Sequence, residues 1–388
     1  MNNIHSGNAA LENTISDFNF SSGEFERRIS NVRVKMVDTG VDVLLIDCVE
    51  HMAYLFGYVP PASIYQVILL PIDAPPLAVI RRLDAPTFAE QSWVDDYITF
   101  GDSDDPLRLI SQACQDQGWG KAKIGVEFDS HFLPVKRFRA LEQALPDVDF
   151  VDFSSIIWEL RLIKSEEELY CLRRASNIAD RAMKVAIDVA AAGVPERECA
   201  AMLYAEALRA GADNGRCALI ASGKRSDSLH GRLGDHTLED GDILHVESIP
   251  LFNGYGARLM RSSVIGKPDK ELQESAAKII EFQDRQFEAM HPGIAACEVD
   301  RILRDALLGN NLRQEYGNFT GYTLGYIGLP KTSDFTRAFL PDSQWHLQAG
   351  MVFHMYTYAK GLAFSDTIHV SDSGPVRLTV TPRTLFER

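Results

Sequence analysis

Nothing in this chain of 388 residues approaches the roughly 20 consecutive apolar residues of a membrane span. Basic residues are outnumbered, 39 Lys and Arg against 54 Asp and Glu, and the formal net charge of −15 argues against nucleic acid or an anionic membrane surface as a partner. Six cysteines, at 48, 114, 171, 199, 217 and 297, form no CxxC pair and no zinc spacing, so buried free thiols in a reducing cytoplasm are expected. The polar first twenty residues carry neither signal-peptide nor transit-peptide character and read as a flexible or partner-draping arm. There is no HExxH, no Gly-x-Ser-x-Gly elbow and no Walker loop. Low-complexity and charge-block segments are also missing.

The remaining composition is that of a soluble globular protein, 46% hydrophobic and 24% charged, long enough for two domains with ample cores. Helical spacing runs over Phe25 to Asp38, and Val41 to Ile46 reads as a buried strand. Apolar runs at Val67–Leu70, Leu77–Ile80 and Ile124–Val126, with helical stretches such as Pro106 to Gln117 between them, predict a mixed α/β layer structure. Ser165 followed by Glu168 is a capping-box signature that opens a long helix, and a domain boundary is expected near there. Beyond that point a segment repeats. Gly193-Val-Pro-Glu-Arg-Glu-Cys-Ala-Ala-Met-Leu203 and Gly293-Ile-Ala-Ala-Cys-Glu-Val-Asp-Arg-Ile-Leu303 lie 100 residues apart, each after a long helical stretch, which implies an internal pseudo-two-fold.

The most informative stretch runs from Gly241 to Ser262. Two β-rich runs flank Asn253-Gly254, a pair suited to the positive φ of a type I′ turn. A two-residue loop pairs Phe252 with Tyr255 and sets Glu247 opposite Met260. Glu247 and Arg258 then share a face as diagonal neighbours. Such a carboxylate and guanidinium can be a surface ion pair or a site for a small zwitterion.

This segment resembles the core hairpin of the pita-bread hydrolases, the methionine aminopeptidase, prolidase and creatinase family. The metal-binding members read roughly Gly-Asp-x4-Asp, then Gly-Tyr-x2-Asp-x2-Arg, with two metal-ligating aspartates. Here those two positions are Glu247 and Arg258, with Gly254, Tyr255 and Arg261 retained. The family's Gly-His-x2-Gly becomes Gly321-Tyr322-Thr-Leu-Gly325; its last two glutamate ligands become Tyr356 and Ser365. A guanidinium has no lone pair to offer a cation. In the family an Arg-x-Ile-Lys-Ser stretch, here Arg161–Ser165, opens the catalytic domain, so the resemblance implies an α+β protein, a creatinase-like N-terminal α/β domain (1–158) followed by a pita-bread catalytic domain (159–388), that has given up its metals and uses no cofactor.

Within that family the C-terminal third resembles the metal-free ectoine hydrolases, in Thr320-Gly-Tyr-x-x-Gly325, Gly350-Met-x-Phe-His354 and Leu378-Thr-x3-Arg383-x-Leu-Phe386. The reaction implied is hydrolysis of a C–N bond in a small zwitterionic amidine or amide. Creatinase-like amidinohydrolysis, an Xaa-Pro metallohydrolase and a non-catalytic binding protein stand as alternatives. Carried over residue by residue, Glu247 attacks or activates water and His230 shuttles the proton. Arg258 is the candidate to hold a substrate carboxylate, with Arg261 as its substitute. Tyr322, Tyr356, His245 and His354 are the further substrate-binding candidates, His245 with Ser262 at the cavity edge. The resemblance also implies a homodimer in which one subunit's N-terminal domain closes the other's cavity, with Tyr65, Arg82 or Asp84 completing it. The chain departs from the related enzymes at Lys331-Thr-Ser-Asp334, after Gly-Leu-Pro330, and in carrying Arg258, so the substrate is expected to differ more readily than the reaction.

Overall fold

A computed structural model describes residues 19–60, 64–213, 217–328 and 334–388. Most of the N-terminal arm, and residues 331–333 of the Lys331–Asp334 departure, lie outside these residues. The chain divides into two compact units between Arg161 and Leu162.

The first unit is a six-stranded mixed sheet with helices on its faces. Its strands are β1 (Val43–Ile46), β2 (Val67–Pro71), β3 (Leu77–Arg81), β4 (Tyr97–Phe100), β5 (Lys123–Val126) and β6 (Asp149–Asp152), in the order β4-β3-β2-β1-β5-β6. The predicted apolar runs are its central strands. They are continuous rather than alternating because both faces are covered, as the full burial of Val43–Ile46 and Val67–Pro71 shows. The expected first helix spans Ser22–Thr39, capped by Ser21 at its start and by Gly40 in the left-handed conformation at its end.

The second unit is built from a helical hairpin used twice. Helix Glu166–Val189 is followed by Glu196–Arg209, and Lys270–Glu288 by Ala296–Gly309. Backbone hydrogen bonds repeat the correspondence: Gly193 donates to Leu238 and Gly293 to Leu347, while Leu238 donates back to Val194 and Leu347 to Ile294. The internal two-fold read from sequence is thus present in the main chain. The capping box is complete, Ser165 and Glu168 each bonding the other's backbone N–H.

These helices pack on a nine-stranded sheet. It comprises β7 (Ala218–Ser222), β8 (Ile243–Ser248), β11 (Leu259–Val264), β12 (Gly321–Thr323), β13 (Ala338–Phe339), β14 (Val352–Ala359), β15 (Leu362–Ser371), β16 (Gly374–Arg377) and β17 (Phe386–Glu387). Its main path is β13-β12-β14-β15-β11-β8-β7, and the small strands β9 (Leu251–Phe252) and β10 (Tyr255–Gly256) form a separate pair. Small residues on the long helix, Ala175, Ala179, Ala182 and Ala186, let it approach Leu244, Val246 and Leu259 of the sheet closely.

The hairpin has the predicted register. Phe252 pairs with Tyr255 and Glu247 with Met260. Asn253 and Gly254 both have positive φ, 49° and 76°, as a type I′ turn requires. Asp213 fixes the turn by accepting from both of their N–H groups, at 3.0 and 2.6 Å. Gly254 is obligatory on a second ground: a Cβ there would lie 2.1 Å from the Tyr326 ring.

Candidate active site

A cavity of about 660 Å³ is lined by residues of the large sheet and its loops, all of them in the second unit. Glu247 at the end of β8 and Arg258 just before β11 meet at its floor, Arg258 Nη1 donating to Glu247 Oε1 at 2.8 Å. Both are buried, at 1% and 6% exposure, so this is no surface ion pair. Burial works against the Arg258 cation, but the neighbouring Tyr322 and Glu247 outweigh it and hold its pKa above the ordinary value. The other carboxylate oxygen, Glu247 Oε2, is buried and accepts no hydrogen bond. A charged oxygen so placed is costly unless a ligand engages it.

The opposite wall is aromatic. Tyr322 on β12 shares a hydrogen bond of 2.8 Å with His354 Nδ1 on β14, and His354 stacks on Tyr356 with 5.2 Å between centroids. Burial, and then the Arg258 charge, press the His354 pKa well below its usual value, so the ring is neutral. Burial likewise raises the Tyr356 phenol, which accepts from Asn318 Nδ2 at 3.1 Å. Phe335 lies 4.6 Å from the Tyr322 ring and Phe319 6.3 Å from it. His230 lines the cavity from an exposed turn between β7 and β8.

Six candidates from the sequence therefore share one cavity: Glu247, Arg258, His230, Tyr322, Tyr356 and His354. Others do not. Arg261 points to the opposite side of β11, where it donates to Asp366 Oδ1 at 2.9 Å and to the carbonyls of Met260, Ser365, Thr381 and Pro382. It is a sheet staple, not a substitute for Arg258. His245 is 1% exposed and lies between Ala221 and Ser262 on neighbouring strands, away from the cavity lining. Burial lowers its pKa to about 4 against the pull of Glu247, leaving it neutral at pH 7. Ser262 Oγ is occupied by the backbone of Ala363.

In the N-terminal unit, Tyr65 and Asp84 face inward, not out to a second subunit. Tyr65 donates to Asp47 Oδ2 at 3.1 Å, Asp84 accepts from Gln66 Nε2 at 2.9 Å, and both side chains are buried. Arg82 is exposed.

Sequence reasoning missed Asn318, Phe319, Phe335 and Tyr358 of the lining. Period-two alternation along β14 from His354 and Tyr356 would have found Tyr358. Asn318 and Phe319 sit immediately before the Thr320-Gly321-Tyr322 landmark, a loop position with no pattern of its own.

Two sequence families match this architecture. The Creatinase/Prolidase N-terminal domain matches residues 28–163, and Metallopeptidase family M24 matches residues 170–372, more than half of the chain. The chain belongs to metallopeptidase family M24. Its sequence is similar to the ectoine hydrolase of Halomonas elongata, 25% identical over 391 residues that cover 95% of this chain and 98% of the relative. It is also similar to the Xaa-Pro dipeptidase of Pyrococcus furiosus, 29% identical over 275 residues, 68% of this chain and 75% of that protein. The recombinant prolidase of Thermococcus sibiricus shares the fold, with a TM-score of 0.83 at 22% identity, covering 94% of this chain and 99% of that one. The creatinase-like N-terminal domain and the pita-bread C-terminal domain are therefore those of the prolidases and aminopeptidases of this family.

Membership in M24 implies a pair of divalent cations, and the donors present do not fit one. The matched positions hold one carboxylate, Glu247, whose Oε1 already accepts from a guanidinium in the place of the second aspartate. Tyr322 and Tyr356 are phenols committed to His354 and Asn318, and Ser365 lies outside the lining. Among the described residues, no three His, Cys, Asp or Glu donors converge in this cavity.

Proposed function

We propose that this M24 protein hydrolyses a C–N bond in a small zwitterion of the amidine or amide class, with Glu247 as its acid–base or nucleophilic group and no metal in the cavity. The observation that carries the reading is the half-engaged carboxylate: Glu247 Oε1 is held by Arg258, while Oε2 is buried and unengaged at the cavity floor. The similarity to an ectoine hydrolase supports the reaction class, and the Xaa-Pro dipeptidase likeness supports only C–N hydrolysis in general.

Arg258 orients Glu247 through the bond to Oε1, and its guanidinium offers a substrate carboxylate a charged partner. The flat cationic part of an amidine suits the aromatic wall of Tyr322, Phe335 and Tyr356, since a cation over a ring face is attracted by the ring quadrupole. A protonated amidine carbon is already electrophilic, so attack on it needs no Lewis acid. Either Glu247 takes a proton from water as the water adds to that carbon, or Glu247 bonds to the carbon and water then cleaves that bond to release it; in both cases the C–N bond breaks and the leaving nitrogen takes a proton that originates from the water. His230, which lines the cavity, returns that proton between turnovers.

The reading is tested by turnover of ectoine, hydroxyectoine, creatine and Ala-Pro in chelator-treated buffer and again with added Mn²⁺ or Zn²⁺. Hydrolysis of a member of the first three, unaffected by chelator and lost in Glu247→Gln, is expected. Hydrolysis of Ala-Pro alone, dependent on added metal, would overturn it.

A further inference from the structure

A second convergence of reactive side chains lies in the N-terminal unit and has no part in the cavity described above. Donor atoms of Cys48, His51 and Glu127 all fall within 4.8 Å of one another, and all three residues are buried. They come together for simple reasons of topology. β1 and β5 run parallel as neighbours, so the residues just past their carboxyl ends emerge side by side. Asp47 and Cys48 follow β1; Glu127 follows β5. Cys48 then caps the helix Val49–Phe56, and His51, three positions on, lies one turn above it on the same face. A count of cysteine pairs overlooks this Cys-x2-His spacing.

The cluster is rich in acid and thiol donors. His51 Nδ1 is 2.7 Å from Glu127 Oε2, and Cys48 Sγ donates to Glu50 Oε2 at 3.2 Å. Glu50 is only 2% exposed, yet its Oε1 accepts no hydrogen bond. Asp47, 3% exposed, adds a third carboxyl group. Its oxygens accept from Ser130 Oγ at 2.6 Å and from the Tyr65 hydroxyl at 3.1 Å. The guanidinium felt there, Arg137, is stacked over the Tyr65 ring at 4.0 Å. Three buried carboxyl groups and a thiol around one imidazole set oxygen and sulfur donors beside a nitrogen donor.

We propose that Cys48, His51 and Glu127 form a site for one divalent transition-metal ion of the zinc type, with the fourth coordination position left to a water molecule. Mixed sulfur, nitrogen and oxygen donors suit a borderline-soft ion, and calcium or magnesium would not select a thiolate. Bond lengths of about 2.0–2.3 Å put tetrahedral ligands roughly 3.3–3.8 Å apart. The 4.8 Å envelope accommodates this, and the His51–Glu127 contact opens by about half an ångström on loading. Binding displaces the Cys48 thiol proton to solvent, and sulfur, imidazole nitrogen and carboxylate oxygen then share the ion. The ion ties the first turn of the helix to the end of β5.

The experiment is a Co²⁺ titration of the full chain, stripped with chelator and followed by absorption. One equivalent is expected to give a near-ultraviolet thiolate-to-cobalt band with tetrahedral visible bands, to be displaced by Zn²⁺, and to raise the melting temperature. Cys48→Ser should lose the charge-transfer band. Glu127→Gln, nearly isosteric and therefore the safer variant for folding, should keep the band but weaken binding at least about tenfold, in line with loss of a ligand. Glu247→Gln should change neither. A stripped wild-type chain that shows no band and no melting shift, or a band that survives Cys48→Ser, overturns the site. Tetrahedral visible bands that are lost in Glu247→Gln but survive Cys48→Ser place the ion in the catalytic cavity and overturn both this site and the metal-free reading. Loss of the band in Cys48→Ser alone leaves that reading intact.

Discussion

Arg258 reaches Glu247 at 2.8 Å from one diagonal step along the hairpin, because Met260, not Arg258, stands directly opposite Glu247. Removing the arginine alone strands a carboxylate in a site with 1% exposure. Arg258→Met is expected to lower stability by about 3–5 kcal/mol, the usual range for breaking a buried pair, while Glu247→Gln/Arg258→Met recovers much of that loss. Urea unfolding of the two single variants and the double variant checks this. Additive effects would mean that the pair is not coupled.

His230→Ala should leave the fold unchanged, since the residue is exposed on a turn, and should slow turnover by roughly 10²–10⁴, the range for a general acid–base group. Unaltered kcat in this variant would remove His230 from the mechanism.

His245 predicts an acid-sensitive fold. Its folded pKa, about 4, lies below the unfolded value near 6.5, so the unfolded chain binds the extra proton. The stability linked to this group is therefore complete above pH 6.5, falls as pH drops through the window from 6.5 to 4, and changes no further below it. The shift amounts to on the order of 3 kcal/mol. Asp47, with its pKa raised to about 7 by burial, contributes in the opposite sense, its stabilisation fading as pH rises through 7. Comparing wild type with His245→Leu isolates the histidine: the variant should show a flatter loss of stability between pH 6.5 and 4. An identical slope in both would contradict a neutral buried imidazole.

Arg261 separates structure from substrate binding. It is fully buried and bonded to Asp366 and four carbonyls. Arg261→Ala should therefore destabilise the chain by several kcal/mol, on the order of 3–5, by leaving Asp366 without this partner. Folded Arg261→Lys should retain KM. A raised KM with an unchanged melting temperature would return Arg261 to the cavity.

The sequence by itself determined the local features. The Asn253-Gly254 turn sets strand register over eleven residues, so the approach of Glu247 and Arg258 followed from period two, and the Ser165–Glu168 box and the 100-residue repeat were visible as written. The same alternation could have excluded Arg261, which is an odd number of residues from Arg258 and must face the other way. The tertiary structure decided what depends on pairing between distant strands. β12, β14 and β15 bring Tyr322, His354 and Tyr356 across from the hairpin, while β7 and β11 flank His245 and turn a cavity candidate into a buried neutral ring. The same holds for the parallel neighbours β1 and β5, whose adjoining ends unite Cys48 and His51 with Glu127, 76 residues beyond His51. A turn fixes its neighbours through backbone geometry. Residues far apart in the chain meet only when burial of the whole sheet selects one strand order.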